Sequence, residues 1–212
     1  MRYISYVVVA VAVAAAVLIA IFMTPKPPVS TPPTPQQTAA PAVRPAPTPA
    51  AGDENFVLLE LKDGIVEIEM LPNLAPTHVA RIKELVNQKF YDGLKFHRVI
   101  EGFMVQTGDP LGNGTGGSGK NINAEFSNEP HVRGIVSMAR AQSPNSADSQ
   151  FFIVTKDSTF LDRNYTAWGR VTKGMDLVDK IKKGDPNRNG EVVNPDTIIT
   201  MRMKSAAPAA AR

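Results

Sequence analysis

From Phe56 onward the chain alternates apolar and polar residues. Phe56-Val57-Leu58-Leu59-Glu60-Leu61 and Ile65-Val66-Glu67-Ile68-Glu69-Met70 read as two strands joined by Lys62-Asp63-Gly64, a hairpin signal. Glu67 and Glu69 fall between Val66, Ile68 and Met70, so one face of the second strand is wet. Thr77 follows Pro76, and Val79, Ile82, Leu85 and Val86 recur at helical spacing, which predicts a helix over 77–88. Short apolar runs predict strands at 96–100, 104–107, 134–139, 150–155 and 168–171. Met175, Val178 and Ile181 share a face of a second helix over 175–182, and a last strand covers 197–203. Many short strands, Gly-rich turns and two helices predict a mainly β domain, an antiparallel barrel closed on itself with helices over its ends. No internal repeat is visible.

The chain before this domain has a different texture. Residues 4–23 carry no charge, and only Ser5 and Tyr6 are polar. At about 1.5 Å rise per residue the run spans roughly 30 Å, the thickness of a hydrocarbon core. Small residues at 11–16 lie inside the run, residues 17–23 stay bulky, and Thr24-Pro25-Lys26 offers no small-x-small cleavage site. An uncleaved anchor in contact with the lipid bilayer through residues 4–23 is therefore preferred over a signal peptide. The alternative is secretion to the periplasm after cleavage. Arg2 before the run and Lys26 after it bias the N-terminus to the inside. The expected location is the inner (plasma) membrane, crossed once, with the domain on the periplasmic side. Residues 24–52 hold ten of the 18 prolines and cannot bury enough apolar surface to fold. They predict a disordered, extended spacer of up to about 90 Å at ~3.1 Å per residue. The organisation read from the sequence is an anchor over 1–23, a linker over 24–52, a folded domain over 53–204 and an Ala-rich, frayed tail over 205–212.

Composition narrows the chemistry. With no Cys, the chain has no disulfide scaffold, thiolate zinc site or cysteine nucleophile. The leader carries only Arg2, Lys26 and Arg44, so the rest of the chain holds 20 Lys+Arg against 20 Asp+Glu. A balanced domain lacks the basic face that nucleic-acid binding needs. Gly114-Thr115-Gly116-Gly117-Ser118-Gly119-Lys120 matches G-x-x-x-x-G-K. Asn121 stands where a Ser or Thr would hold Mg²⁺, and neither a strand before nor a helix after is predicted, so no nucleotide is expected. His78, His97 and His131 are dispersed. His78 reads as a helix-surface residue and His97 as a hydrogen-bonded core residue inside a strand. No metal-ligand spacing and no G-x-S-x-G elbow is present, so neither a metal nor conventional hydrolysis is indicated.

What remains is a set of short segments in order. Phe96-His97-Arg98-Val99-Ile100-Glu101-Gly102-Phe103-Met104-Val105-Gln106-Thr107-Gly108-Asp109 is followed by Gly114-Thr115-Gly116-Gly117 and Ser137-Met138-Ala139. Then come Ser149-Gln150-Phe151-Phe152-Ile153, Phe160-Leu161-Asp162 and Trp168-Gly169-Arg170-Val171 with Gly174-Met175. Taken singly each is ordinary: a surface ion pair for Arg98, core packing for Met104 and the phenylalanines. Together, across 56–203, they resemble the cyclophilins, the barrel-type peptidyl-prolyl cis-trans isomerases. That resemblance implies an eight-stranded antiparallel barrel capped by two α-helices.

It also implies the chemistry. Arg98 would donate to a twisted Xaa-Pro amide, and Phe103, Met104, Phe152 and Leu161 would form the proline-ring pocket. Gln106 and Gln150 would hold the substrate backbone, with Ala139 and Arg140 alongside and the 114–117 loop beside the preceding residue. The partners are proline-containing polypeptides, no cofactor is needed, and a monomer is expected. The implied role is the folding of extracytoplasmic proteins; the alternative is a tethered proline-peptide-binding chaperone with incidental turnover. Three positions depart from common family usage. Phe160 replaces a Trp of many eukaryotic members, which implies weak binding of the family's cyclic-peptide inhibitor. Tyr165 replaces a His and keeps an aromatic with a polar tip. Arg140 replaces an Asn and adds positive charge at the groove edge.

Overall fold

The computed structural model describes residues 52–206. The anchor expected over 1–23, all of the linker but Gly52, and residues 207–212 of the tail lie outside the described residues. Among the described residues no helix is long and apolar enough to cross a membrane.

Eight strands and two α-helices form the domain. The strands are β1 (Phe56–Leu61), β2 (Gly64–Met70), β3 (Arg98–Ile100), β4 (Met104–Thr107), β5 (Ile135–Met138), β6 (Phe151–Val154), β7 (Ala167–Lys173) and β8 (Thr200–Met203). The helices are α1 (Pro76–Asn87) and α2 (Met175–Lys180). All pairings are antiparallel and make one sheet in the order β3-β4-β6-β5-β7-β2-β1-β8. The sheet curls into a half-barrel rather than the closed barrel expected, because its edge strands β3 and β8 do not pair with each other. The residues just before those two strands meet instead. Lys95 bridges Thr197, the Phe96 N–H donates to the Asp196 carbonyl at 2.9 Å, and the Ile198 N–H donates to the Leu94 carbonyl at 2.9 Å. This is also why the expected strands at 96–100 and 197–203 begin only at Arg98 and Thr200.

Alternation explains the packing. On β1, Val57, Leu59 and Leu61 are buried while Phe56, Leu58 and Glu60 are half-exposed. The inward residues join Ile68, Met70, Val105, Val136, Phe151 and Ile153 in the main core, with Trp168 fully buried among them. Trp168 meets Phe151 edge-on, ring centres 5.5 Å apart, and Phe151 meets Tyr91 likewise at 5.5 Å. The α1 helix closes this core with Val79, Ile82, Leu85 and Val86. Its N-terminus lacks a local side-chain cap; Pro76 opens it, and Glu125, from a distant loop, accepts from the Thr77 and His78 N–H groups at 3.0 Å each. His78 is therefore no surface residue. It is fully buried, with Nδ1 2.6 Å from a Glu125 carboxylate oxygen. Burial alone pushes the Glu125 carboxyl up, but bonds from the His78 ring and from the His78 and Thr77 backbone outweigh it, so it lies below its ordinary value.

The free edge of β3 is covered by residues 184–192. The Val99 N–H donates to the Gly190 carbonyl at 2.8 Å, and the Gly184 N–H donates to the Val99 carbonyl at 3.0 Å. Gly190 sits at φ +80°, and a Cβ there would run into Ile100 and the Val99 backbone, so a side chain is excluded twice over.

Candidate active site

Strand register builds the site. Arg98 on β3 lies opposite Gln106 on β4, Gln106 opposite Phe152 on β6, and Phe152 opposite Ser137 on β5. Directly opposed residues of antiparallel strands share a face. One row across four strands therefore carries Arg98, Gln106, Phe152 and Ser137 on the side away from the main core. Met104, two residues from Gln106, joins that face with Ile135, Val154, Leu161 and Ala167 in a second, smaller buried cluster. Over this cluster opens a groove of about 1020 Å³.

The apolar end of the groove is walled by Phe103, Met104, Phe152, Phe160 and Leu161. Met104 is 1% exposed, whereas Phe160 is 68% exposed and leans on Phe103 with ring centres 5.3 Å apart. Phe152 and Tyr165 meet edge-to-face with ring centres 5.8 Å apart, and the Arg140 guanidinium lies over the Tyr165 ring, 4.8 Å from its centre. Arg140 is also tied down by backbone: Nε and Nη2 donate to the Asn164 carbonyl, and Nη1 donates to the carbonyls of Ala141 and Gln142. Ala139 completes this wall.

Arg98 stands at the polar end, half-buried. Its Nη1 donates to Gln106 Oε1 at 3.1 Å, its Nε to the Asn189 carbonyl at 3.0 Å and its Nη2 to Asn189 Oδ1 at 3.0 Å. Every acceptor is neutral, and no ion pair among the described residues includes Arg98. Burial draws its pKa below the ordinary arginine value. A guanidinium remains charged throughout the accessible range.

The predicted residues do not all reach the groove. Gln150 is not among the residues that line the groove. Its Oε1 accepts from Gln106 Nε2 at 2.9 Å, while its own Nε2 donates to the carbonyls of Gly114 at 3.1 Å and Gly116 at 2.8 Å. Both ends are thus engaged within the chain, and Gln150 links Arg98 through Gln106 to the glycine loop. That loop lines the groove through Gly112, Asn113 and Gly114. The Asp109 carboxylate ties it in place, accepting from the backbone of Leu111 at 2.8 Å, Asn113 at 3.0 Å and Gly114 at 2.5 Å. Burial pushes the Asp109 carboxyl up, and these amides with that of Gly116 more than reverse it. No helix follows Lys120, so the phosphate-loop resemblance has no structural counterpart.

His97 needs correcting as well. It precedes β3 rather than lying within a strand, and among the described residues neither ring nitrogen has a hydrogen-bond partner, although the residue is only 7% exposed. Its ring borders the groove beneath Gly114. Burial lowers its pKa, offset in part by Asp109 and the Lys95 carbonyl, which keeps it neutral near pH 7. Sequence reasoning missed Asn189, with Arg188, Glu191 and Val192 beside it on the same wall. The available signal was Asp185-Pro186-Asn187-Arg188-Asn189-Gly190, a turn sequence that predicts a tight reversal but not what it faces.

Residues 56–203 match the family described as cyclophilin type peptidyl-prolyl cis-trans isomerase/CLD. The chain is 57% identical over 162 residues to a probable peptidyl-prolyl cis-trans isomerase of Brucella suis, covering 71% of this chain and 83% of that protein. It is 44% identical over 128 residues to peptidyl-prolyl cis-trans isomerase B of Bacillus subtilis, covering 59% of this chain and 89% of that protein. A crystal structure of a cyclophilin from Hirschia baltica superimposes with a TM-score of 0.67 at 30% identity, over 76% of this chain and 78% of that one. A cyclophilin-type isomerase of Cryptosporidium parvum, solved in the presence of the dipeptide Ala-Pro, gives 0.64 at 26% identity, over 70% of this chain and 98% of that one.

Proposed function

This chain belongs to the cyclophilin-type peptidyl-prolyl cis-trans isomerases and catalyses rotation about Xaa-Pro bonds, and we propose that Arg98 is its catalytic group. The observation that carries this assignment is a half-buried guanidinium, bonded only to neutral oxygens, at the edge of a pocket walled by Phe103, Met104, Phe152 and Leu161.

Amide resonance sets a barrier of roughly 18–20 kcal/mol, and each tenfold of rate needs about 1.4 kcal/mol. Rotation breaks no covalent bond, so neither a nucleophile nor an acid–base pair is required. The twisted amide loses conjugation, and its nitrogen gains a lone pair that the planar form lacks. A donor aimed at that nitrogen binds the twisted form more strongly than either planar isomer, which is the condition for catalysis. One charge-assisted hydrogen bond contributes about 1.5–3 kcal/mol, and more where water is excluded. The apolar wall seats the prolyl ring and excludes that water. Ala139, Arg140, Phe160 and Tyr165 border the rest of the bound chain, Gln106 reaches its backbone, and Gln150 holds Gln106 and the loop through its amide.

The test is a protease-coupled isomerisation assay on an Xaa-Pro peptide with the full-length chain. Arg98→Ala is expected to lower kcat/KM by about 10²-fold or more while peptide affinity changes little. Unchanged turnover overturns the assignment. Lost binding with unchanged kcat favours a peptide-holding role.

The uncharged run at 4–23 and the Pro-rich stretch after it support a further reading: the domain is tethered outside the plasma membrane and serves proteins folding there. The protein is then expected to stay with membranes after carbonate washing and to be cut by protease added from outside. Recovery of a soluble form lacking the leader overturns the tether.

A further inference from the structure

Arg98 has five N–H donors, and the structure accounts for three of them. Two of the three go to one residue, Asn189, which lies 91 positions away in sequence. Its carbonyl and its side-chain oxygen take the Nε and Nη2 edge of the guanidinium at 3.0 Å each. This is the fork that a carboxylate would make, built from neutral oxygens. A carboxylate there would orient the group equally well but would cancel the charge a substrate needs.

Asn189 suits the place for a second reason. Its backbone is left-handed, φ +52°, a conformation that asparagine tolerates better than most residues. That turn points its carbonyl and its side chain in the same direction. The turn itself is held on three sides. Asp185 caps it by accepting from the Asn187 N–H at 2.8 Å, and the Gly190 N–H donates to the Asp185 carbonyl at 2.9 Å. The next residue, Gly190, is bonded to Val99, the neighbour of Arg98 on β3. Asn189 is thus fixed relative to the strand that carries the arginine.

We propose that Asn189 is a positioning residue, which aims the Arg98 guanidinium into the groove without neutralising it and leaves two N–H donors for the substrate amide. This rests on Arg98 being the catalytic group. Asn189→Gly is the sharpest probe: glycine keeps the left-handed turn and the carbonyl and removes the side chain with its Oδ1. In the full-length chain kcat is expected to fall about tenfold with KM within about twofold, because the loss is one of aim rather than of binding. In an Arg98→Ala background the same change is expected to do nothing further. Wild-type kcat in Asn189→Gly overturns the proposal, as does an undiminished tenfold loss in the Arg98→Ala background, which would mark a general loop effect. Full activity in Arg98→Ala alone instead brings down the assignment of Arg98. Folding is followed by the fluorescence of Trp168, the single tryptophan. Should Asn189→Gly unfold, Arg98→Lys carries the test: it keeps the charge, lacks the fork and is expected to lose kcat by a similar factor. Full activity in that variant overturns the proposal.

Discussion

On β6, Phe151 and Ile153 turn into the main core, while Phe152 and Val154 turn the other way into the small cluster beneath the groove. The same division runs along β4, with Val105 on one side and Met104 on the other, and along β5, with Val136 and Ile135. Strands β1 and β2 behave differently. Their inward residues enter the main core, but their outer face carries Glu67 and Glu69, and Glu67 is paired with Lys173 and Lys204. Strands β4, β5 and β6 therefore bury apolar residues on both faces, whereas the second face of β2 is polar. A strand buried on both sides reads as a continuous apolar run, and a strand wet on one side reads as alternation. The groove sits where the second apolar face is, outside the curl of the sheet rather than within it. Stability and catalysis thus occupy opposite faces of the same few residues, which makes them separable by mutation.

The largest expected effect comes from the inner face. Phe151→Ala removes a fully buried ring that touches both Tyr91 and Trp168, and is expected to cost about 3–5 kcal/mol in urea denaturation followed at Trp168. The molecules still folded are expected to keep kcat/KM within about threefold. Next comes its neighbour on the outer face. Phe152→Ala is expected to lower kcat/KM by at least about tenfold and to cost only ~2 kcal/mol, since the space it leaves opens onto the groove and fills with water. If the two variants show the same ratio of lost activity to lost stability, the separation of faces fails.

A smaller effect tests a site remote from both faces. Glu125→Gln weakens the cap on α1 and is expected to cost about 1 kcal/mol at pH 7, with activity within twofold. Folding holds the Glu125 carboxyl below its ordinary value. Its stabilisation is therefore complete above the unfolded value of about 4.3 and is lost as pH falls through the folded one. The difference between wild type and variant should shrink below about pH 4. A gap in denaturation midpoint that stays constant from pH 7 to pH 3 contradicts the charged cap. Smallest of all is the effect of pH on turnover. Arg98 stays charged, and burial keeps His97 below its ordinary value of about 6.5, so kcat/KM is expected to be flat between about pH 7 and 9. An acid limb with its midpoint at or above 6.5 contradicts this reading of His97.

The strands were readable from period-two patterning, whereas the site residues came from the ordered segments that resemble the cyclophilins. Arg98, Gln106 and Phe152 fall on one row once the strands are found and their register is known. Each residue whose role the alternation did not reveal acts across a long loop. Glu125 caps a helix 47 residues earlier, which left His78 looking like a surface residue. Asn189 reaches Arg98 from a turn whose composition announces a reversal and nothing about its neighbours. Gln150 bonds Gln106 and the glycine loop through both ends of its amide, a link that the linear pattern does not reveal. The contacts between 93–96 and 196–198, where the two ends of the sheet approach, are made of backbone groups with no side-chain signature, so the sequence suggested a fully closed barrel instead.

The segment laid along the rim of β3 bears on how the enzyme parts from its substrates. A polypeptide in the course of folding presents extended main chain as well as proline, and a naked strand border next to the groove would invite it to join the sheet. Val99 has already given its N–H and its carbonyl to Gly190 and Gly184. A visiting chain finds no vacant rung at Val99 and cannot extend the sheet from that border.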